Sequence, residues 1–285
     1  MQPLFNMWYP PASNLSKMKL AICTIQRDRA PWLKEWFAFH HLIGVSKFYF
    51  YAHKCTDNTN QVIGELQSHF DITAYELSND VHLPQLAAYQ HTYEKFNHEF
   101  DWCAFIDGDE FLLPTEGTDA RPVLEDYANR NISALAVYWA CFGSSGHIRE
   151  PDGLITENFR KRPPLSFADN QHVKSIVLGH QPEAFKVLGN SHIFGTLNGT
   201  FDEQLRPVTS GLADYEPSHR RLRINHYCCQ SLEFFRAFKQ GSGAPDSNPH
   251  LIRPDSWWTT YDRNDEKDNS VELIAPRLRE LLKSL

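Results

Sequence analysis

Over the first 110 residues the chain alternates between two textures. Short apolar runs at residues 19–25, 48–51, 72–77 and 102–106 have the length and the β-branched or aromatic content of buried strands. Between them the apolar positions take helical spacing. Trp32, Leu33, Trp36, Phe37 and Phe39 share one side of a helix that Asp28 is placed to cap, and residues 61–69 and 83–96 form two more. Strands and helices in turn predict an α/β fold with a largely parallel, doubly wound sheet, whose ligands gather beyond the carboxyl ends of its strands. The polar residues that directly follow strands therefore carry most information. Past Arg121 the pattern loosens. A helix over 123–130 and a strand over 134–139 precede a stretch rich in Gly, Pro and His with strand-like runs such as 175–178, and helices over 232–239 and 271–282 close the chain.

With 285 residues the chain is long for one small domain and short for two, so one α/β domain with an elaborated C-terminal part is expected. Residues 1–17, with Pro3, Pro10 and Pro11, read as an N-terminal arm, 18–241 as the main domain, and 242–285 as a C-terminal segment and helix packed on it. A hydrophobic content of 41% suffices for a core without staples, and the six cysteines show no CxxC pair, which suits reduced thiols rather than a disulfide scaffold or zinc site. The net charge of −7 removes the broad attraction that supplies most nonspecific nucleic-acid affinity, so a polynucleotide partner is not expected. No run approaches the roughly 18 apolar residues of a membrane span, and the first residues lack the pattern of a secretory signal. A cytoplasmic protein with at most peripheral membrane contact is the expectation.

The strongest chemical signal is Phe105-Ile106-Asp107-Gly108-Asp109-Glu110-Phe111, an apolar strand running straight into three acids. Residues two apart on an extended chain point the same way, so Asp107 and Asp109 can address one ion from one side, and Gly108 lets the backbone come close. Hard divalent cations such as Mn²⁺ or Mg²⁺ favour such oxygens and keep water and substrate phosphate as further ligands. A solvated acidic turn is the plainer reading of a bare DxD triplet. The buried run Phe111-Leu112-Leu113 behind this one weighs against that reading, because it wedges the acids between apolar segments.

Several blocks in order resemble the glycosyltransferase family 92 and related family 2-like enzymes. They are Leu33-Lys34-Glu35-Trp36, then His40-His41-Leu42-Ile43-Gly44-Val45, then Phe48-Tyr49-Phe50-Tyr51, then the acidic block itself. Trp139 to His147 (WACFGSSGH), Lys174-Ser175-Ile176-Val177 and Ile224-Asn225-His226-Tyr227 with Gln230-Ser231-Leu232-Glu233-Phe234 complete the set. The resemblance implies a GT-A fold, a nucleotide-sugar donor (a UDP-sugar first), a saccharide acceptor and a cation site. Asp109 would then be the direct metal ligand, with Asp107 meeting the ribose or reaching the metal through water, and His226 a further metal or diphosphate contact. It also favours inversion, and a place in surface-polysaccharide assembly.

Other candidates rest on position after strands. Thr24, Arg27 and Asp28 follow the first strand, where a nucleotide's base and phosphates would lie, and Arg27 suits a diphosphate through its bidentate fork. Asp57 follows the second strand and could hold ribose or uracil, or simply make an Asx turn. Gly143-Ser144-Ser145-Gly146 could bring backbone amides to donor or acceptor, Lys174 could offset phosphate charge, and Trp257 and Trp258 could stack on a sugar. Glu150, Asp169, His192, Asp202 and Glu216 are all possible catalytic bases; His192 is favoured because it matches a His of the family pattern, with Glu150 and Asp202 next. Two rival functions stay open. A Mg-dependent phosphoesterase would use the same acids, and a noncatalytic carbohydrate-binding protein would use the aromatics.

Overall fold

The computed structural model describes residues 18–181, 183, 185–243 and 250–285. The expected N-terminal arm at 1–17 lies outside the described residues. The chain runs β1 (Leu20–Gln26), α1 (Ala30–Leu42), β2 (Val45–His53), α2 (Thr59–Leu66), β3 (Ile72–Leu77), α3 (Pro84–Phe96), β4 (Trp102–Phe105), β5 (Glu110–Pro114), α4 (Arg121–Ala128) and β6 (Ala134–Cys141). It continues through α5 (Ile155–Asn158), β7 (Lys161–Arg162), β8 (Val173–Leu178), β9 (Lys186–Val187), β10 (Phe194–Gly195), β11 (Thr200–Asp202) and β12 (Leu222–His226). The last elements are α6 (Leu232–Phe234), α7 (Asp255–Tyr261), β13 (Glu266–Lys267) and α8 (Ala275–Leu282).

The class is α/β, as the alternation predicts. The main sheet has the order β3-β2-β1-β4-β8-β6-β12-β5, with β11 beside β6. Strands β1 to β4 are mutually parallel, but β8 runs antiparallel to both β4 and β6, and β5 antiparallel to β12. Because β6, β11 and β12 run the same way as β1 to β4, the sheet is largely parallel as expected, with β8 and β5 as its two reversed strands. Strand direction depends on the path of the connections, and neither β5 nor β8 is reached from the strand before it by the β-α-β crossovers that join β1 to β4.

Residues on β1, β2 and β4 alternate between two cores. Leu20, Ile22, Phe48, Phe50, Trp102 and Ala104 join the cluster beneath α1, while Ala21, Cys23, Tyr49, Tyr51, Cys103 and Phe105 join the cluster beneath α3. Both faces are covered, which is why these strands read as continuous apolar runs. All six cysteines are free thiols.

Helix α1 is fastened by residues that stood out as motif. The Trp36 Nε1–H donates to the Glu110 carbonyl at 2.9 Å, and His40 donates from Nδ1 to the Trp36 carbonyl while its Nε2 accepts from the Leu112 amide at 3.1 Å. Burial lowers the His40 pKa to about 3, so the ring is neutral and this tautomer is the one present. Buried Glu35 accepts from the Ile155 and Thr156 amides at 2.7 and 2.9 Å, capping α5. Asp28 does not cap α1. Its backbone is left-handed (φ 50°), which turns the carboxylate toward the Thr56 and Asp57 amides, and Asp57 instead accepts from Ala30 N at 3.1 Å.

The two closing helices differ from a plain helical reading. After α6 the chain widens into a π turn over Phe235–Lys239, with Gln240 N bonding to Phe235 O at 2.7 Å. The stretch expected to be one helix over 271–282 begins as a 3₁₀ turn, Ser270–Leu273, and becomes α8 only where Pro276 stands in the first helical turn. Behind β12, buried Asp268 accepts from Arg162 Nε at 2.7 Å, Arg223 at 2.9 Å and Ser270 N at 3.0 Å, tying the C-terminal segment to the sheet.

Burial opposes ionisation of Asp268, but hydrogen bonding and charge from Arg223, then Ser270, hold its carboxyl well below the ordinary value. Asp268→Asn is expected to cost about 2–4 kcal/mol at neutral pH, read from urea unfolding. The carboxylate's contribution is complete above the unfolded-state pKa of about 3.9 and is lost as pH falls through the lower native value, so the gap between wild type and variant should close in strongly acidic buffer.

Candidate functional site

Sheet register gathers the chemistry at one edge. The carboxyl ends of β1, β2, β4, β6 and β12 all reach it, and antiparallel β8 brings its amino end, with Lys174 opposite Val137 and Ile176 opposite Ala104. A cavity of about 730 Å³ opens there, within the size range of small-ligand sites.

The acidic cluster forms its floor as a turn, not as the extended segment expected. Glu110 N bonds to Asp107 O at 3.2 Å and Asp107 N to Glu110 Oε2 at 2.8 Å, which closes residues 107–110 on themselves. Asp107, Gly108 and Asp109 face the cavity while Glu110 is fully buried. A side chain on Gly108 would collide with Gln26 at 2.6 Å, so the turn sits close against the end of β1.

Each acid is held by cations or donors from distant segments. Asp107 accepts from Lys174 Nζ at 2.9 Å and from Gln85 Nε2 at 2.5 Å. Asp109 accepts from Lys239 Nζ at 2.5 Å, and His226 Nε2 lies 3.7 Å from the same oxygen. Burial works against charge on both. At Asp107 the Lys174 ammonium overcomes it, and at Asp109 Lys239 does so with His226 and Arg29, so both pKa values fall below the ordinary range. At Glu110 burial wins over Lys174, and the pKa rises to about 7.

Two carboxylates and an imidazole are a donor set that suits Mn²⁺ or Mg²⁺. One observation fits that chemistry. An ammonium already sits on Asp109, so the position favours positive charge, and the His226 nitrogen nearest that carboxylate is Nε2.

The remaining candidates divide. Arg27 lines the cavity and pairs with Asp28 at 3.5 Å. His192 lines it too. It donates from Nδ1 to the Val173 carbonyl at 2.8 Å, which leaves the Nε2 lone pair unprotonated, and burial followed by Lys174 lowers its pKa to about 3. Such a ring accepts hydrogen bonds well and protons poorly. Thr24 is buried in β1 beneath Gln26, Asp57 caps α1, and Lys174 stands behind Asp107 rather than in the cavity.

Glu150 and Asp202, named as possible bases, are not brought to the cavity. Glu150 accepts from Ser231 N and Oγ, while Asp202 is enclosed by Arg206, Gln204 N and Tyr138 OH. Of the other two, Asp169 accepts from Tyr261 OH at 2.9 Å and Glu216 is exposed. The amides of Ser144 and Ser145 are taken by Asp262 and Asn264 at 2.7 Å, and a side chain on Gly143 would meet the Arg263 carbonyl at 2.3 Å. This glycine-serine run serves as a seat for the C-terminal segment.

Sequence reading missed Arg29, Gln85, His172, Lys239 and Arg253, all of which line the cavity. Arg29 had a signal, since it lies two residues past Arg27 in the same strand-to-helix link. It donates to the Gly108 carbonyl at 3.0 Å and lies over the Trp32 ring at 4.5 Å. Lys239 and Arg253 had none. Trp257 does line the cavity, stacked on Tyr261 at 4.2 Å, whereas Trp258 does not.

The sequence matches the description Glycosyltransferase family 92 over residues 17–261. The chain belongs to glycosyltransferase family 92. A family 92 protein of Oryza sativa subsp. japonica is 26% identical over 221 residues, 76% of this chain and 34% of that protein. One from Ricinus communis is 30% identical over 224 residues, 76% of this chain and 37% of that protein. The chain thus spans well under half the length of these family 92 relatives. Among solved structures, S. aureus TarS residues 1–349 superimposes with a TM-score of 0.36 at 13% identity, over 56% of this chain and 47% of that one. Among the described residues of this family 92 chain, no helix is long and apolar enough to cross a membrane.

Lys174 is expected to be structural. Lys174→Met leaves Asp107 and buried Glu110 facing each other without their cation and should lower stability by about 3–5 kcal/mol in urea unfolding. Adding Glu110→Gln to that variant should restore part of the loss.

Proposed function

We propose that this family 92 chain is a glycosyltransferase of the GT-A type, taking a sugar from a nucleotide-sugar donor to a saccharide acceptor with the help of a divalent ion. One observation carries the reading. The acids Asp107 and Asp109 share a single cavity with Arg27, Arg29, Lys239 and Arg253, so its walls supply both a cation-binding floor and more positive than negative side chains. A diphosphate that keeps its charge needs that balance. A phosphoesterase would use the acids but gives no role to the Trp257 and Tyr261 stack at the same cavity.

Asp107 and Asp109 would hold Mn²⁺ or Mg²⁺, with His226 as the third protein ligand. The ion, when bound, stabilises the negative charge that develops on the departing diphosphate. Arg29, fixed over Trp32, and the more exposed Arg27 would bind the diphosphate oxygens. Trp257 and Tyr261 offer flat faces for the C–H side of a sugar ring. His192 would accept the hydrogen bond of the acceptor hydroxyl through Nε2. Inversion is the proposed course. The resemblance to family 92 supports that course, in which the acceptor oxygen would attack as the diphosphate departs with the electrons of the broken C–O bond and the acceptor's proton would leave to solvent. A UDP-sugar is the first donor to try.

The test is nucleotide release from a panel of UDP-, GDP- and ADP-sugars, with and without Mn²⁺. Slow hydrolysis of one or two donors is expected, abolished by EDTA and lowered about 100-fold or more in Asp109→Asn. Turnover that survives both treatments would sink the metal-assisted reading, and hydrolysis of simple phosphate diesters to monoester and alcohol would favour the phosphoesterase.

A further inference from the structure

The two lysines on the acidic turn are held in different ways. Lys174 is 1% exposed and meets both Asp107 at 2.9 Å and Glu110 at 3.8 Å, so its ammonium is enclosed by acids. Lys239 is 20% exposed, and among the described residues Asp109 is the only hydrogen-bond partner of its ammonium. Its backbone, by contrast, is anchored. Arg253 donates to the Lys239 carbonyl at 2.9 Å, to Ser242 Oγ at 3.2 Å and to the Gly243 carbonyl at 3.0 Å.

The local helix aims this side chain. A π turn holds about one residue more than an α turn, which rotates everything after it by about 100° around the axis. Lys239 is the last residue of the π turn Phe235–Lys239. The inserted residue carries it from the side an α-helix would give it onto the cavity wall. Such a turn weakens a helix, and here its product is one ammonium delivered to Asp109 across 130 residues of sequence.

We infer that Lys239 is a two-position residue of donor binding: it neutralises Asp109 before a divalent ion is bound, then yields that carboxylate to the ion and turns to the donor's diphosphate. This rests on the metal-assisted reading above. An ion coordinated by Asp109 would stand about 2.0–2.2 Å from its oxygen. Lys239 Nζ stands 2.5 Å from one of the two carboxylate oxygens, so an ion on the same carboxylate would lie within a few ångströms of the ammonium, and the two like charges would repel. Its flexible stem lets the ammonium leave while Arg253 keeps the backbone still. The nearest new negative charge would be the diphosphate, which Arg29 and Arg253 also flank from the cavity wall.

The test uses Lys239→Met and Lys239→Arg in the full chain, with two binding readouts that a merely structural lysine would not move in opposite directions. With Mn²⁺ alone, followed by electron paramagnetic resonance, Lys239→Met should bind the ion about fivefold or more tighter than wild type, because its competitor is gone. With Mn²⁺ saturating, calorimetry with UDP, GDP and ADP should show the best-bound nucleotide weakened about fivefold or more in Lys239→Met and largely restored in Lys239→Arg. Equal or weaker Mn²⁺ binding by Lys239→Met, or unchanged nucleotide affinity, overturns the role of Lys239 while leaving the metal site standing. If neither wild type nor variant binds Mn²⁺ even with nucleotide, the metal-assisted reading falls and this inference with it.

Discussion

Keeping Asp107 and Asp109 ionised at the rim of a buried sheet is the constraint on which the rest of the site depends. An unpaired carboxylate there would take up a proton or pull the turn out toward water. The fold prevents this by delivering a separate ammonium to each, Lys174 from β8 and Lys239 from the π turn. Glu110, deeper still, is left with too little compensation, and its pKa moves to about 7. The turn thus presents two acids to the cavity and keeps a third, half-neutralised, beneath them.

The same constraint accounts for the architecture around α1. The turn hangs from the start of β5, and β5 is located by the Trp36 indole on the Glu110 carbonyl and by His40 on the Leu112 amide. One residue before Trp36, Glu35 fastens α5. Buried Glu35 and His40, both from the family-like blocks, are therefore framework. They transmit the position of one helix to the acidic turn, and hydrogen-bonded neutral His is well suited to that because it can donate from one nitrogen and accept at the other.

The C-terminal segment completes the cavity rather than merely covering the sheet. Seated on the Gly143–Gly146 run and bound through Asp268, it carries Arg253, Trp257 and Tyr261 to the cavity that the ends of β1 and β2 also line. The cavity therefore unites the strand ends of the N-terminal half with aromatic side chains of the C-terminal segment.

The sequence by itself determined the strand-helix alternation of the first half, the burial of its strands, the acidic cluster at a strand end and the block order of the family. These are local or periodic properties, set by side-chain spacing and by backbone preferences within a few residues. Only the tertiary structure decided which groups answer those acids. Lys174 and Lys239 lie 67 and 130 residues from their partners, and no periodicity connects them. It also separated Asp57, a helix cap, from Arg27, a cavity residue, although both follow strands in polar loops. The reversal of β5 and β8 was undecided for the same physical reason: charge pairing and register are settled by proximity in space, and a chain segment carries no mark of what will be folded against it.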